Sequence, residues 1–128
     1  MGVRALYEQT LQERGYTSDA AQLRAIDALE RCENEWADYK ARRSNAVTKL
    51  LVRPPIPRGV YMWGGVGRGK SFLMDCFFQA VPLTRKTRLH FHEFMREVHR
   101  ELQELRGTVN PLQELGKRIA RRFRLICF

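Results

Sequence analysis

The sequence predicts an α/β fold in which a parallel β-sheet, covered by helices, follows a helical N-terminal arm. Two observations lead to this prediction. Beyond residues 54–57 (Pro-Pro-Ile-Pro), short apolar runs typical of buried strands alternate with helical patterns. Before them, apolar residues recur at the three- and four-residue steps of helices. Because proline cannot continue a helix, we place the arm at 1–53 and the α/β unit at 54–128.

The arm is predicted to contain two helices. Residues 4–14 form the first, which ends at Gly15, and Asp19 with Gln22 resembles the capping pair that begins a longer helix. This second helix has a single apolar stripe, typical of a core or of a docking face rather than of a cofactor site. Its members are Leu23, Ile26, Leu29, Cys32, Trp36 and Tyr39.

The α/β unit is predicted to begin with a strand at residues 60–63 (Val-Tyr-Met-Trp). A helix at 71–78 follows, and Val81-Pro82 marks the break after it. Residues 87–91 have the composition of a second strand.

Two more helices and a strand are predicted beyond this point. Residues 93–105 carry an apolar helical face. Asn110 before Pro111 is a strong start signal for the last helix, since it combines an N-cap residue with proline at the first helical position. Residues 124–128 form the third strand.

The candidate functional site is a glycine-rich loop between the first strand and its helix. Its spacing, G-x-x-x-x-G-K-S, lets successive backbone N–H groups surround a polyphosphate. Strand, loop and helix N-terminus together form the anion site of P-loop NTPases. A glycine turn that carries Lys-Ser by chance is the alternative, and this context argues against it. The candidate nucleotide-binding residues are Gly64, Gly65, Val66, Gly67, Arg68, Gly69, Lys70, Ser71 and Phe72.

The side chains of this loop have distinct predicted roles. Lys70, the candidate catalytic residue, neutralises the outer phosphates of ATP, and Ser71 ligates Mg²⁺. Arg68 is expected at the loop surface rather than in the chemistry. The sequence therefore predicts an ATP and Mg²⁺ site at residues 64–72.

The chain is basic, with 23 Lys and Arg against 14 Asp and Glu among its 128 residues and a net charge of +9. The basic residues are scattered and do not line one helix with interleaved aromatic residues. We therefore predict no dedicated nucleic-acid surface. Solvated faces and electrostatic steering of a nucleotide account for the charge.

The cysteines indicate a reducing compartment. Cys32, Cys76 and Cys127 are odd in number and show no C-x-x-C spacing, so buried, reduced thiols are expected. No apolar run approaches the roughly 20 residues of a membrane span, and the N-terminus lacks the apolar core of a signal peptide. These features predict a cytoplasmic protein.

The histidines form an alternative candidate site. His90 and His92 would share a face if one strand contained both, and His99 on the next helix could join them around zinc. No Cys or carboxylate stands at a recognisable ligand spacing, however. Histidines satisfied within the fold, or a relay near the nucleotide, are the favoured hypotheses.

The histidine segment also carries a specific resemblance. Residues 88–95 (Arg-Leu-His-Phe-His-Glu-Phe-Met) with Val98 and His99 resemble the H-F-H-x-F-M-x-x-V-H signature of the ZapE cell-division ATPases, the bacterial branch of the AFG-type ATPases. The glycine loop, its following Phe-Leu-Met-Asp, and the final Leu-Ile-Cys-Phe are similar to the same family. The resemblance extends over essentially the whole chain.

This resemblance implies an AAA+-like ATPase that associates with the division machinery and acts on FtsZ polymers, using ATP. Mitochondrial relatives imply a role in protein quality control. The N-terminus has no Arg- and Ser-rich transit segment, which favours the bacterial branch. A homo-oligomer of the full-length protein is compatible with the resemblance, and nucleic acid is not an expected partner.

The sequence departs from the family pattern at Phe128. In family members the last strand runs directly into an Asp-Glu pair, which orients Mg²⁺ and the attacking water. We therefore expect an N-terminal part of a longer ATPase, with little turnover and marginal folding by itself. The resemblance also implies a later strand between the strand at 60–63 and the strand at 124–128, without which the backbone of 60–63 would lack partners.

Two alternative functions are also compatible with the phosphate loop. One is a non-hydrolysing adaptor, in which the long helix and the basic surface bind a protein while nucleotide only sets the shape. The other is a helicase-loader-like ATPase associated with DNA, which a steep salt dependence of DNA affinity would indicate.

Overall fold

The computed structural model describes residues 2–51, 53–62 and 70–128. Within these residues the chain is mostly helical, with a small parallel sheet. In chain order the elements are α1 (Val3–Arg14), α2 (Ala20–Arg42), α3 (Ala46–Leu51), α4 (Lys70–Ala80), β1 (Lys86–Arg88), α5 (Phe91–Glu104), α6 (Pro111–Arg122) and β2 (Leu125–Cys127). They belong to two compact units, Met1–Pro82 and Leu83–Phe128. The predicted domain boundary after residue 53 stays a prediction.

Local signals set the ends of the first two helices as predicted. Helix α1 ends at Gly15, whose φ of 66° is left-handed and therefore suits glycine. Helix α2 begins after Asp19, whose Oδ1 accepts a hydrogen bond of 2.8 Å from the Gln22 N–H. This side chain satisfies one of the backbone donors that a helix start leaves unpaired.

The core of the first unit lies among α1, α2 and α4. Most of the predicted α2 stripe is buried there, although Leu23 at its start is 43% exposed. Polar contacts join α1 to α2 at one edge. The Glu33 carboxylate accepts from the Val3 N–H at 3.0 Å, and Arg4 pairs with Glu30 and Asp27. The buried apolar side chains of these helices are Val3, Tyr7, Ile26, Leu29, Cys32, Trp36, Leu73, Cys76 and Phe77.

Helix α3 is an element that the sequence patterns did not predict. Asn45 and Thr48 cap it reciprocally, with Thr48 N–H donating to Asn45 Oδ1 at 2.8 Å and Asn45 N–H donating to Thr48 Oγ1 at 3.2 Å. At its other end, the Arg43 guanidinium lies over the Tyr39 ring and donates to the Lys49 carbonyl at 3.1 Å. The aliphatic side chains of α3, Val47, Leu50 and Leu51, are exposed.

The predicted strand at 60–63 is wrong for the part that the structure describes. Residues 60–62 are irregular, and Trp63 lies outside the described residues. These residues are not part of the sheet that the structure describes, whose strands are β1 and β2. An extended segment becomes a strand only when a neighbour accepts and donates its backbone hydrogen bonds.

The second unit contains the two strands, which pair in parallel as predicted. Lys86 lies opposite Leu125 and Arg88 opposite Cys127 in the register. The predicted strand at 87–91 is too long, because β1 ends at Arg88 and α5 begins at Phe91. A short apolar run suits either a strand or the first turn of a helix, so its composition alone did not fix the boundary.

Helices α5 and α6 connect the strands and pack against each other. Glu101 of α5 has a side chain that is only 4% exposed, and its carboxylate accepts a hydrogen bond from Arg122 of α6. Asn110 is the residue before α6, as predicted, but its backbone is left-handed with φ 55° and its side chain caps no N–H. Pro111 then opens the helix.

Aromatic side chains close the end of this unit. The Phe128 ring lies 5.0 Å from that of Phe94 and 5.5 Å from that of Phe91, centroid to centroid.

Among the described residues, no helix combines the length and the apolar character that crossing a bilayer would need.

The Asp19 cap can be tested by mutation. We expect Asp19→Ala to lower the free energy of unfolding by about 1 kcal/mol, since the Gln22 N–H loses its acceptor. Urea denaturation followed by circular dichroism measures this. Asp38→Ala is the matched control, because Asp38 lies in the same helix and forms an exposed ion pair with Arg42. Such pairs contribute about 0.3–0.5 kcal/mol, so an equal loss in both variants would contradict the assignment.

The cysteines provide a second test. All three are reduced thiols and buried, as predicted. Burial also raises the pKa of the Cys32 and Cys76 thiols, which leaves little thiolate at neutral pH. A thiol reagent such as DTNB should therefore modify the native chain slowly and all three cysteines rapidly in urea. Rapid modification of Cys32 or Cys76 without denaturant would show that the core of the first unit opens readily.

Candidate functional site

The described part of the candidate site is the first turn of α4. Lys70 and Ser71 are its first two residues, and Phe72 follows them. The other predicted site residues, Gly64, Gly65, Val66, Gly67, Arg68 and Gly69, lie outside the described residues.

This turn has the properties that an anion site requires. The first N–H groups of an α-helix have no acceptor within the helix, and the helix dipole places partial positive charge there. The Ser71 side chain is exposed, so its hydroxyl is available as the oxygen ligand that Mg²⁺ prefers. Lys70 is half-buried beside it. The residues present therefore fit a phosphate and its magnesium ion.

Apolar packing anchors the turn. Leu73, Cys76 and Phe77 are at most 4% exposed and form the buried face of α4 against α1 and α2. Their spacing of three and four residues places them on one side of the helix. Ser71 and Asp75, by contrast, are exposed. One face of α4 thus belongs to the core, while Ser71 in its first turn is exposed.

Phe72 connects the turn to α1. The ring centroids of Phe72 and Tyr7 are 5.6 Å apart. The Arg14 guanidinium carbon lies 5.5 Å from the Phe72 centroid, within the range of a cation–π contact. No local sequence pattern singles out Tyr7 or Arg14, because both are distant from Phe72 in the chain.

Hydrogen bonds fix the α1 side of this contact. Tyr7 is 1% exposed, and its hydroxyl donates to Gln22 Oε1 at 2.8 Å, which ties it to α2. Burial raises the pKa of this phenol, so it stays protonated. Thr10, one turn along α1, donates to the Leu6 carbonyl at 2.8 Å and interacts with the Cys76 thiol. Next to these contacts lies a groove of about 370 Å³, lined by side chains of both α1 and α4.

The histidines do not lie on one face of a strand, as their spacing had suggested. His90 precedes α5 and His92 lies in its first turn, so the two do not alternate along a strand. Their rings stack, with centroids 5.6 Å apart and planes 11° apart. His99 is exposed further along the helix. Among the described residues, His, Cys, Asp and Glu form no group of three that could hold a metal ion.

Comparisons with known proteins identify the family. The model of the AFG1-like ATPase family matches residues 1–128. The cell division protein ZapE of Escherichia coli K12 is 54% identical over 71 residues, which cover 56% of this chain and 19% of that protein. An uncharacterized protein of Schizosaccharomyces pombe is 36% identical over 96 residues, covering 70% of this chain and 21% of the relative.

A third relative is the lactation elevated protein 1 homolog B of Danio rerio, 43% identical over 65 residues that cover 51% of this chain and 13% of that protein. The chain thus spans about a fifth or less of the length of these curated relatives. No solved structure matches it. Since the family model matches from the first residue to the last, the chain belongs to the AFG1-like ATPase family.

Proposed function

We propose that this chain supplies the nucleotide-binding part of an ATPase that acts in bacterial cell division. The observation that carries the proposal is the match of the family model to the whole chain, combined with the position of Lys70 and Ser71 at the start of α4. A lysine and a hydroxyl at that position are what phosphate loops use to hold the outer phosphates and their metal ion.

The proposed roles follow the chemistry of each residue. Backbone N–H groups of the loop, from Gly64 through Gly69 and of Phe72 after it, donate to phosphate oxygens. Lys70 places its ammonium on the outer phosphates, where a charge-assisted hydrogen bond is strong. Ser71 offers its exposed hydroxyl to the metal ion. Arg68 stays at the loop surface.

Ser71 would help to hold a magnesium ion, which would supply positive charge against the phosphates. The contribution of this chain is therefore to bind and orient the polyphosphate. The packing of Leu73, Cys76 and Phe77 supports that role, because it fixes one face of α4 in the core of the first unit.

The cell-division part of the proposal derives from one relative. The E. coli protein that is 54% identical over 71 residues carries the name cell division protein ZapE. We infer that this chain likewise acts with the division machinery, with FtsZ polymers as the partner, in the bacterial cytoplasm. The identity lies well above what a shared fold alone would need, which supports a shared function for the matched segment.

Lys70→Ala tests the nucleotide site. We expect it to weaken the binding of MgATP by about tenfold to a hundredfold, since a hydrogen bond between charged groups contributes about 1.5–3 kcal/mol. Isothermal titration calorimetry of the purified chain measures the affinity. Lys117→Ala is the control, because Lys117 is an exposed lysine of α6. Equal MgATP affinity in wild type and Lys70→Ala would refute the assignment of Lys70.

Sedimentation of FtsZ polymers tests the partner. We expect ATP to change the amount of this chain, and of FtsZ, in the pellet, because nucleotide at the loop alters the surface that α4 belongs to. The Lys70→Ala variant should respond to neither ATP nor ADP. If the pellets contain FtsZ but not this protein under every nucleotide condition, FtsZ is not the partner. That result would not affect the assignment of the ATP site.

A further inference from the structure

Helix α1 presents two side chains to one ring of the candidate site. Tyr7 and Arg14 are seven residues apart on α1, which is two helical turns, so both lie on the same face. Both contact Phe72, at 5.6 Å from the Tyr7 centroid and 5.5 Å from the Arg14 guanidinium carbon. Phe72 belongs to the turn that also carries Lys70 and Ser71.

We propose that Tyr7 and Arg14 are positioning residues for nucleotide binding, which act through Phe72 to hold the phosphate-binding turn of α4 in the orientation that ATP needs. Neither residue has to touch the nucleotide. The inference rests on the proposed function, and it adds that helix α1 is part of the binding machinery.

The two contacts differ in what holds them. Tyr7 is buried and tied to Gln22 of α2 by its hydroxyl, so its ring is a fixed support. Arg14 is exposed and covers the Phe72 ring from the solvent side. The buried Tyr7 ring and the exposed Arg14 guanidinium thus both support the turn. Because Arg14 lies at the surface, its side chain can be removed without making a cavity.

The contacts of Phe72 lie where a small movement of α4 would displace Lys70 and Ser71. Phe72 follows Ser71 directly, so a rotation of α4 that shifts the Phe72 ring also shifts the Ser71 hydroxyl and the Lys70 backbone. A binding site that is already held in its bound geometry gives up less conformational entropy when the ligand binds, and its affinity is higher for that reason. A contact that fixes this turn therefore affects affinity although it adds no group to the site.

The first experiment is a double-mutant cycle on MgATP affinity, measured by calorimetry for wild type, Arg14→Ala, Phe72→Leu and the double variant. We expect Arg14→Ala to weaken binding about two- to fivefold, the range that an exposed cation–π contact supports. Because Arg14 acts through the Phe72 ring, the double variant should bind no more weakly than Phe72→Leu alone.

Arg24→Ala is the matched control, since Arg24 is an exposed arginine of α2. It separates positioning from a loss of positive charge. Equal losses in Arg14→Ala and Arg24→Ala, or losses in the cycle that simply add, would overturn the proposal. The melting temperature of Arg14→Ala without nucleotide should stay near that of wild type, because the contact is at the surface.

The second experiment uses the reciprocity of coupled equilibria. If the packing of α1 on the turn raises the affinity for MgATP by a given factor, then bound MgATP must stabilise that packing by the same factor. We expect MgATP to slow amide hydrogen exchange in Val3–Arg14 more than in Ala20–Arg42, a helix of the same unit, and this difference to shrink in Arg14→Ala. Uniform protection of both helices, as any bound ligand produces through global stability, would refute the inference.

The two proposals fail in distinguishable ways. Wild type that binds MgATP, with Arg14→Ala indistinguishable from it in both experiments, overturns this inference alone. Wild type that binds no MgATP overturns the proposed function, and the role of α1 with it.

Discussion

The packing of α4 on α1 and α2 is the interaction on which the rest of the first unit depends. Helix α4 has one face of large apolar side chains, Leu73, Cys76 and Phe77, and a start that carries the polar residues of the site. The core can bury that face only if two helices already form a surface for it. The reversal at Gly15 and the cap at Asp19 produce that surface by bringing α1 and α2 together.

The sequence predicts the fold best where a few neighbouring residues determine the backbone conformation. Gly15 and Asp19 interact with residues only three or four positions away, and they correctly mark the end of α1 and the start of α2. The cap of α3 is a signal of the same kind, an Asn with Thr three residues later, that could have identified this helix. The irregular segment at 60–62 shows the opposite case, because a strand depends on a partner that its own residues do not specify.

The candidate site divides along the same line. Lys70 and Ser71 were recognisable because the whole motif spans a few consecutive residues, whose spacing has a chemical reason. Tyr7 and Arg14 were not, since their relation to Phe72 exists only once α1 and α4 have packed. The histidines illustrate a third situation. Their spacing suggested a shared strand face, but the helix that begins at Phe91 changed the geometry of the whole segment.

The register of β1 and β2 has a consequence for the order in which the second unit folds. Lys86 pairs with Leu125, so every hydrogen bond of the sheet closes a loop that contains both α5 and α6. The contact between those helices, including Glu101 with Arg122, is nearer in sequence and costs less chain entropy to form. Formation of the helical pair shortens the effective loop and brings the strands together. We therefore expect the sheet to assemble after α5 and α6 have paired, with its two strand edges unpaired until then.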